Sequence, residues 1–257
     1  MKTLKLTLIF SLFFTTTMAQ LAEIEGGIYR WDELPVKEGG QRIGRKIMEG
    51  SSPHFEFLEI HATTQEKGAK PSPPHTQKDI EEVIIIKEGL MKMTMDGVSK
   101  ILPAGSVILI PPLVEQSMEN VGDGPMTYYV MMFRSKKPVD VNRGKEAGGA
   151  MFINVNNLDE RTTKLGSSTS YFDRPTATCE DFEMHVTMLK GKGPSHEPHT
   201  HIGSEILLMI EGETEMLIGD QKYQGKAGDL YFVKSNVLHG ISNIGETPCK
   251  YFAYQWH

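Results

Sequence analysis

His199-Thr200-His201 is followed after three residues by Glu205, and His239 lies further along the same half of the chain. Three imidazoles and one carboxylate form a donor set for a divalent transition metal that leaves one or two positions open to water or substrate. Side chains alternate along a strand, so the odd-numbered His199, His201 and Glu205 are expected on one face. His239 would join them from a hairpin away. Mn, Fe, Ni, Co, Cu and Zn all accept such donors, and one such ion per chain is the expected cofactor. Glu205 can remain a ligand or swing off as a catalytic base. His185 alternates with Met184 and Val186 on the preceding apolar run. It is read either as a catalytic acid–base group facing the same lumen or as a structural histidine.

These side chains need a scaffold, and the chain holds two copies of one. At an offset of 123 residues Glu82 repeats as Glu205, Glu88-Gly89 as Glu211-Gly212, Ala104-Gly105 as Ala227-Gly228 and Asn120 as Asn243. Apolar runs coincide as well, 83–86 with 206–209 and 107–110 with 230–233. Upstream, His54-Phe55-Glu56 is matched to Asp181-Phe182-Glu183 at a slightly different offset. Two copies at so long a period mean duplicated domains and not a solenoid. Each copy consists of short apolar, β-branched or aromatic runs broken by Gly, Asp and Pro, which read as antiparallel strands of an all-β sandwich or barrel. The expected division is a signal peptide at 1–19, an N-terminal domain at 20–137, a linker at 138–149 and a C-terminal domain at 150–257.

The second copy reads Gly193, five residues, His199-Thr200-His201, three residues, Glu205, six residues, Gly212, and later Gly228, Lys234, His239 and Asn243. This resembles the two motifs of the cupin family, G-x5-H-x-H-x3-E-x6-G and G-x5-P-x-G-x2-H-x3-N, with Lys234 for the proline and Asn236 for the second glycine. The two repeats together resemble a bicupin. That implies two tandem cupin jelly-roll β-barrel domains and a metal held by His199, His201, Glu205 and His239. It also implies either a homodimer built on exchanged strands or the same contact made within one chain.

The first copy departs further. It reads His75-Thr76-Gln77, four residues, Glu82, six residues, Gly89, then Gly105, Pro111, Gln116 and Asn120. Gln77 and Gln116 stand at the second and third histidine positions, and an amide oxygen is a much poorer donor to these ions than imidazole. The longer spacing puts Glu82 at the opposite parity from His75, which calls for a bulge. A degenerate metal site in a structural domain is expected there.

Cupins with the ligand set of the second copy include sugar and keto-acid isomerases, lyases and dioxygenases of the quercetinase type. The resemblance therefore implies a metal-dependent enzyme of isomerase, lyase or hydrolase type, acting on a small oxygen-rich metabolite such as a sugar acid or keto acid. A quercetinase-like dioxygenase is the alternative, and a non-catalytic binding or storage-type bicupin is a third reading. Storage members generally lack the ligand histidines. Secreted ureidoglycine aminohydrolases are also bicupins with one metal in the second half. Their ligand pattern looks like Glu-x-His-x3-His plus Gln, which this chain does not show, so they rank lower.

Composition bounds the rest. The 257 residues are 39% hydrophobic and 23% charged, which excludes long disorder and a disulfide-stapled miniprotein. A net charge of −6 argues against nucleic acid, leaving a small-molecule substrate as the expected partner. Lys2 and Lys5 precede an apolar run over 6–14 and then Met18-Ala19. This is the pattern of a secretory signal peptide cleaved after Ala19, hence a periplasmic or secreted protein with no membrane segment in its mature form. The run is far short of the roughly 20 residues a spanning helix needs. Cys179 and Cys249 are expected at opposite ends of neighbouring antiparallel strands, on the order of 20 Å apart and thus as free thiols.

Overall fold

The computed structural model describes residues 21–257, so the expected signal peptide lies outside the described residues. Each copy folds into a seven-stranded antiparallel sheet facing a four-stranded one. In the first copy the large sheet runs Met151–Ile153, Val107–Ile110, Glu81–Glu88, Met126–Ser135, Phe55–Gln65, Arg42–Gly50, Val36–Gly39. In the second the order is Gly27–Tyr29, Leu230–Val233, Ser204–Glu211, Cys249–Trp256, Phe182–Leu189, Gly166–Arg174, Glu160–Thr162. The architecture is the expected all-β tandem jelly roll. The word barrel needs correction, because neither pair of sheets closes into one continuous hydrogen-bonded cylinder.

The long apolar runs are explained by strands buried on both faces. In the first copy Ile84 and Ile86 point into the jelly roll, while Val83 and Ile85 point toward the other copy. In the second, Leu207 and Met209 point inward, while Ile206 and Leu208 face outward. The two large sheets therefore pack against each other through one shared core. At its centre Phe55 stacks on Phe133 with ring centroids 4.7 Å apart and on Trp256 at 5.3 Å. Phe182 meets Phe133 and Trp256 edge-on. Each such side chain contributes about 1.5–3 kcal/mol on burial.

The copies also exchange strands. Gly27–Tyr29 pairs with Leu230–Val233 in the second copy's sheet, and Met151–Ile153 pairs with Val107–Ile110 in the first. The contact that the family resemblance allowed between chains is made within this one. Equivalent hydrogen bonds hold both exchanges: the Trp31 amide donates to the buried Asp229 carboxylate (2.9 Å), and the Val155 amide to Ser106 Oγ (3.3 Å). Lys234, standing where the cupin pattern has proline, pairs with Glu23 at 3.2 Å and Glu25 at 3.6 Å.

Residues 138–149 hold a short helix tied to the second copy. The Asp140 carboxylate accepts the Arg143 amide and caps the helix Val141–Glu146, and Arg143 Nε donates to the Thr176 carbonyl. Cys179 and Cys249 are both buried and unpaired, near opposite ends of the pairing between Phe182–Leu189 and Cys249–Trp256.

Asp229 also accepts the Lys226 amide at 2.9 Å, so its carboxylate satisfies two backbone donors in a fully buried place. Asp229→Ala is expected to cost about 1–3 kcal/mol and lower the melting temperature by roughly 3–10 °C, measured by calorimetry. Asp229→Asn, which keeps an acceptor, should recover part of the loss.

Candidate metal centre

His199, His201 and His239 converge with ligand nitrogens all within 4.8 Å of one another. The route differs from a continuous strand. His199 forms an isolated antiparallel bridge with His239, each backbone amide donating to the other's carbonyl at 2.9 Å. The chain then bends at Ile202-Gly203 before the strand Ser204–Glu211 begins, so strand parity does not set the face of His201 relative to Glu205. The Asn236 amide donates to the His201 carbonyl (2.8 Å) and Ser235 Oγ to the Ile202 carbonyl (2.6 Å), pinning that bend. Asn236 has φ of 60°, the left-handed region that explains a glycine in the cupin pattern and that asparagine tolerates. Gly240 is needed for a close approach: a Cβ there would lie 3.2 Å from Pro198 Cα.

Glu205 closes the group. Its Oε2 lies 3.1 Å from His239 Nε2 and 3.5 Å from His201 Nε2. Burial works against its ionisation, but contacts with His201 and His239 dominate and hold its pKa down at about 2. His239 is affected in reverse: burial disfavours its charge, and the Glu205 carboxylate and Val237 carbonyl raise its pKa above the ordinary value. His199 is lowered by burial and the neighbouring imidazoles, which favours the neutral ligand form.

The donors suit a cation. His201 Nδ1 lies 3.0 Å from the Gly203 carbonyl and His239 Nδ1 2.8 Å from the Val237 carbonyl. Those contacts fix the tautomers that present Nε2 inward, the usual support of a metal-binding histidine. His239 Nε2 is buried and, despite its 3.1 Å approach to Glu205, lacks hydrogen-bond geometry, leaving a buried nitrogen aimed at the shared centre.

The group opens into a cavity of about 440 Å³. His185 lines it, half-buried, with Nδ1 2.8 Å from Glu183 Oε1. Gln255 Nε2 donates to the other oxygen of Glu183 at 2.9 Å. Glu183, Gln255 and the cavity-lining cations Arg161 and Lys164 were not foreseen from sequence. One signal was present: Glu59-x-His61 repeats as Glu183-x-His185, and His61 Nδ1 lies 3.1 Å from Glu59. Strand pairing aligns His61 with His185, because both sit opposite equivalent residues, Val130 and Ala253. The match of His54-Phe55-Glu56 to Asp181-Phe182-Glu183 is therefore three residues out of register.

The first copy keeps the frame and loses the centre. His75 pairs with Gln116 as His199 does with His239, and both leading histidines are exposed, but Gln77 and Gln116 replace the other two imidazoles and Glu82 is buried. No bulge is needed, because the extra residue is absorbed in the bend at Lys78-Asp79. Burial raises the Glu82 pKa, partly offset by Gln116 and Gln77. Val130 and Met132 stand where Ala253 and Gln255 line the second cavity, and Met91, Met93, Met95, Met118 and Met126 fill the interior.

A family model described as "Cupin domain" matches residues 62–132 and 184–254, one match in each copy and together more than half of the chain. The chain belongs to the cupin family. Among curated proteins it is 22% identical over 202 residues to (S)-ureidoglycine aminohydrolase of Arabidopsis thaliana, a match that covers 77% of this chain but spans only 64% of that protein's length. Solved structures share the fold. Protein YlbA of E. coli superposes with a TM-score of 0.70 at 14% identity, covering 93% of this chain and 95% of that one. AerE of Microcystis aeruginosa gives 0.67 at 14%, covering 87% and 96%. The oxalate decarboxylase of Lactobacillus farciminis, solved with formate, gives 0.67 at 12%, covering 90% and 86%.

The difference between the two cupin copies is testable by restoring imidazoles. Gln77→His with Gln116→His is expected to raise zinc uptake by about one ion per chain, measured by elemental analysis after gel filtration.

Proposed function

We propose that this cupin is a metal-dependent enzyme in which His199, His201, Glu205 and His239 hold one divalent transition ion, acting on a small oxygen-rich acid. The observation that carries this reading is the convergent three-histidine, one-carboxylate group at a cavity of about 440 Å³ whose lining includes Arg161 and Lys164. Such a volume lies within the range of small-molecule sites, about 300–1,000 Å³. An ion bound there supplies Lewis-acid polarisation of a substrate oxygen. The protein's side chains do the rest. Arg161 and Lys164 attract and orient a carboxylate at the mouth. His185, its ring oriented by Glu183, presents Nε2 to the cavity and takes or returns a proton there. Glu205 remains ionised at neutral pH and balances the charge of the centre.

The reaction class is isomerase, lyase or hydrolase, and similarity to an aminohydrolase weights hydrolysis. Residues 1–19 direct the chain out of the cytoplasm under this reading, to the periplasm or medium. Oxygen chemistry is the alternative at the same centre. Oxygen uptake by the metal-loaded protein with flavonols or β-diketones would favour it.

Elemental analysis should find about one transition-metal ion per chain, absent from the His199→Ala/His201→Ala variant. Protons compete with metal for imidazole, and Glu205 raises the His239 pKa. Zinc affinity should therefore fall as pH drops from 8 to 6, by about tenfold or more in calorimetric titration. A stoichiometry of zero after supplementation with each candidate ion would overturn the reading.

Substrate charge is a separate matter. Malonate, as a probe for carboxylate recognition, should bind the metal-loaded protein and lose about tenfold in affinity in Arg161→Ala/Lys164→Ala, equivalent to ~1.4 kcal/mol. The metal content of that variant should not change.

A further inference from the structure

A second cavity, of about 410 Å³, lies between the two copies and shares no lining residue with the metal centre. Its walls come from equivalent positions of the repeat, among them Ile85 with Leu208, Gly105 with Gly228 and Tyr129 with Phe252. The pseudo-symmetry is broken at one place. Trp31 packs on Gly228, where a Cβ would lie 3.1 Å from its side chain, whereas Val155 holds the equivalent place against Gly105. Val155 lines the cavity, so the space opens on the side that carries the smaller residue.

Two features of the lining are not accounted for by apolar packing. Tyr129 is 5% exposed and its hydroxyl has no hydrogen-bond partner among the described residues, although the equivalent Phe252 shows that a phenyl ring is sufficient to pack there. Lys87 stands where the second copy has Ile210, and it forms no ion pair among the described residues. Both residues line the cavity and both touch the Trp31 ring: Lys87 Nζ lies 3.9 Å from its centroid, and Tyr129 meets it at 5.7 Å. A buried, unsatisfied hydroxyl and an exposed ammonium without an ion-pair partner, both in one largely apolar lining, suit an anion with an apolar body.

We propose that this inter-copy cavity binds an amphipathic monocarboxylate, its alkyl or aryl body held between the two large sheets and its carboxylate met by the Tyr129 hydroxyl and Lys87. Lys250, which also lines the cavity, adds to the positive potential that draws the anion in. The site is independent of the metal centre, and its occupancy is reported by Trp31.

The test uses the full chain with decanoate and 4-phenylbutyrate as alkyl and aryl probes and 1-decanol as the neutral control. Saturable binding of at least one carboxylate is expected by calorimetry, with a change in tryptophan emission that is lost in Trp31→Phe. Affinity should fall at least tenfold in Lys87→Ala/Tyr129→Phe and stay unchanged in His199→Ala/His201→Ala. Val155→Trp, which copies the residue of the other side, should abolish binding. Equal affinity for 1-decanol, no saturable binding of either carboxylate, or full binding by Lys87→Ala/Tyr129→Phe would overturn the proposal. Loss of binding in the histidine variant would overturn it too, since it would place the anion at the metal centre.

Discussion

The structure depends on the packing of the two large sheets against each other. The strands Glu81–Glu88 and Met126–Ser135 of one sheet and Ser204–Glu211 and Cys249–Trp256 of the other carry two apolar faces, one for their own interior and one for the other copy. Phe55, Phe133, Phe182 and Trp256 meet at the middle of that contact. Because side chains alternate, any residue turned toward the partner sheet fixes its neighbours toward the interior. Glu205 points into its cavity for this reason: Ile206 and Leu208 are committed to the shared core. The Glu205 carboxylate is thus oriented by contacts on the opposite side of the sheet from the cavity it faces.

One scaffold carries two different interiors. The backbone events that build the centre recur in both copies, including the bridge that joins His199 to His239 and His75 to Gln116. A residue with positive φ recurs as well, Asn236 in one copy and Leu113 in the other, each donating its amide to the loop carbonyl of His201 or Gln77. What diverged is the filling. Methionines occupy the first interior, while the second has Ala253 and Gln255 where the first has Val130 and Met132. The Glu-x-His pair survived in both, which separates the histidine that needs only a carboxylate neighbour from those that need each other.

Much of this was legible in the sequence because it depends on local pattern. The repeat showed through its turn glycines and apolar runs, and the four donors through their spacing. Other features depend on tertiary placement. His201 meets Glu205 through a bend and not through strand alternation, so parity is not what brings the two together. Glu183 and Gln255 are 72 residues apart, and Arg161 and Lys164 lie on a separate segment, so only the folding of the strands around the cavity brings these segments together. The small gap between offsets of 123 and 124 residues concealed the pairing of His61 with His185. Strand exchange was foreseen as a family habit, but its partners are set by three-residue strands too short to recognise in sequence.

That exchange makes the order of synthesis matter. Gly27–Tyr29 leaves the ribosome early, but its pairing partner Leu230–Val233 is made near the end. The first copy in turn lacks an edge strand until Met151–Ile153 arrives. Neither half completes its sheet alone, because each takes its edge strand from the other side of the repeat boundary. The edge left bare by each half is the one that the other half covers, and the chain reaches a finished state only once.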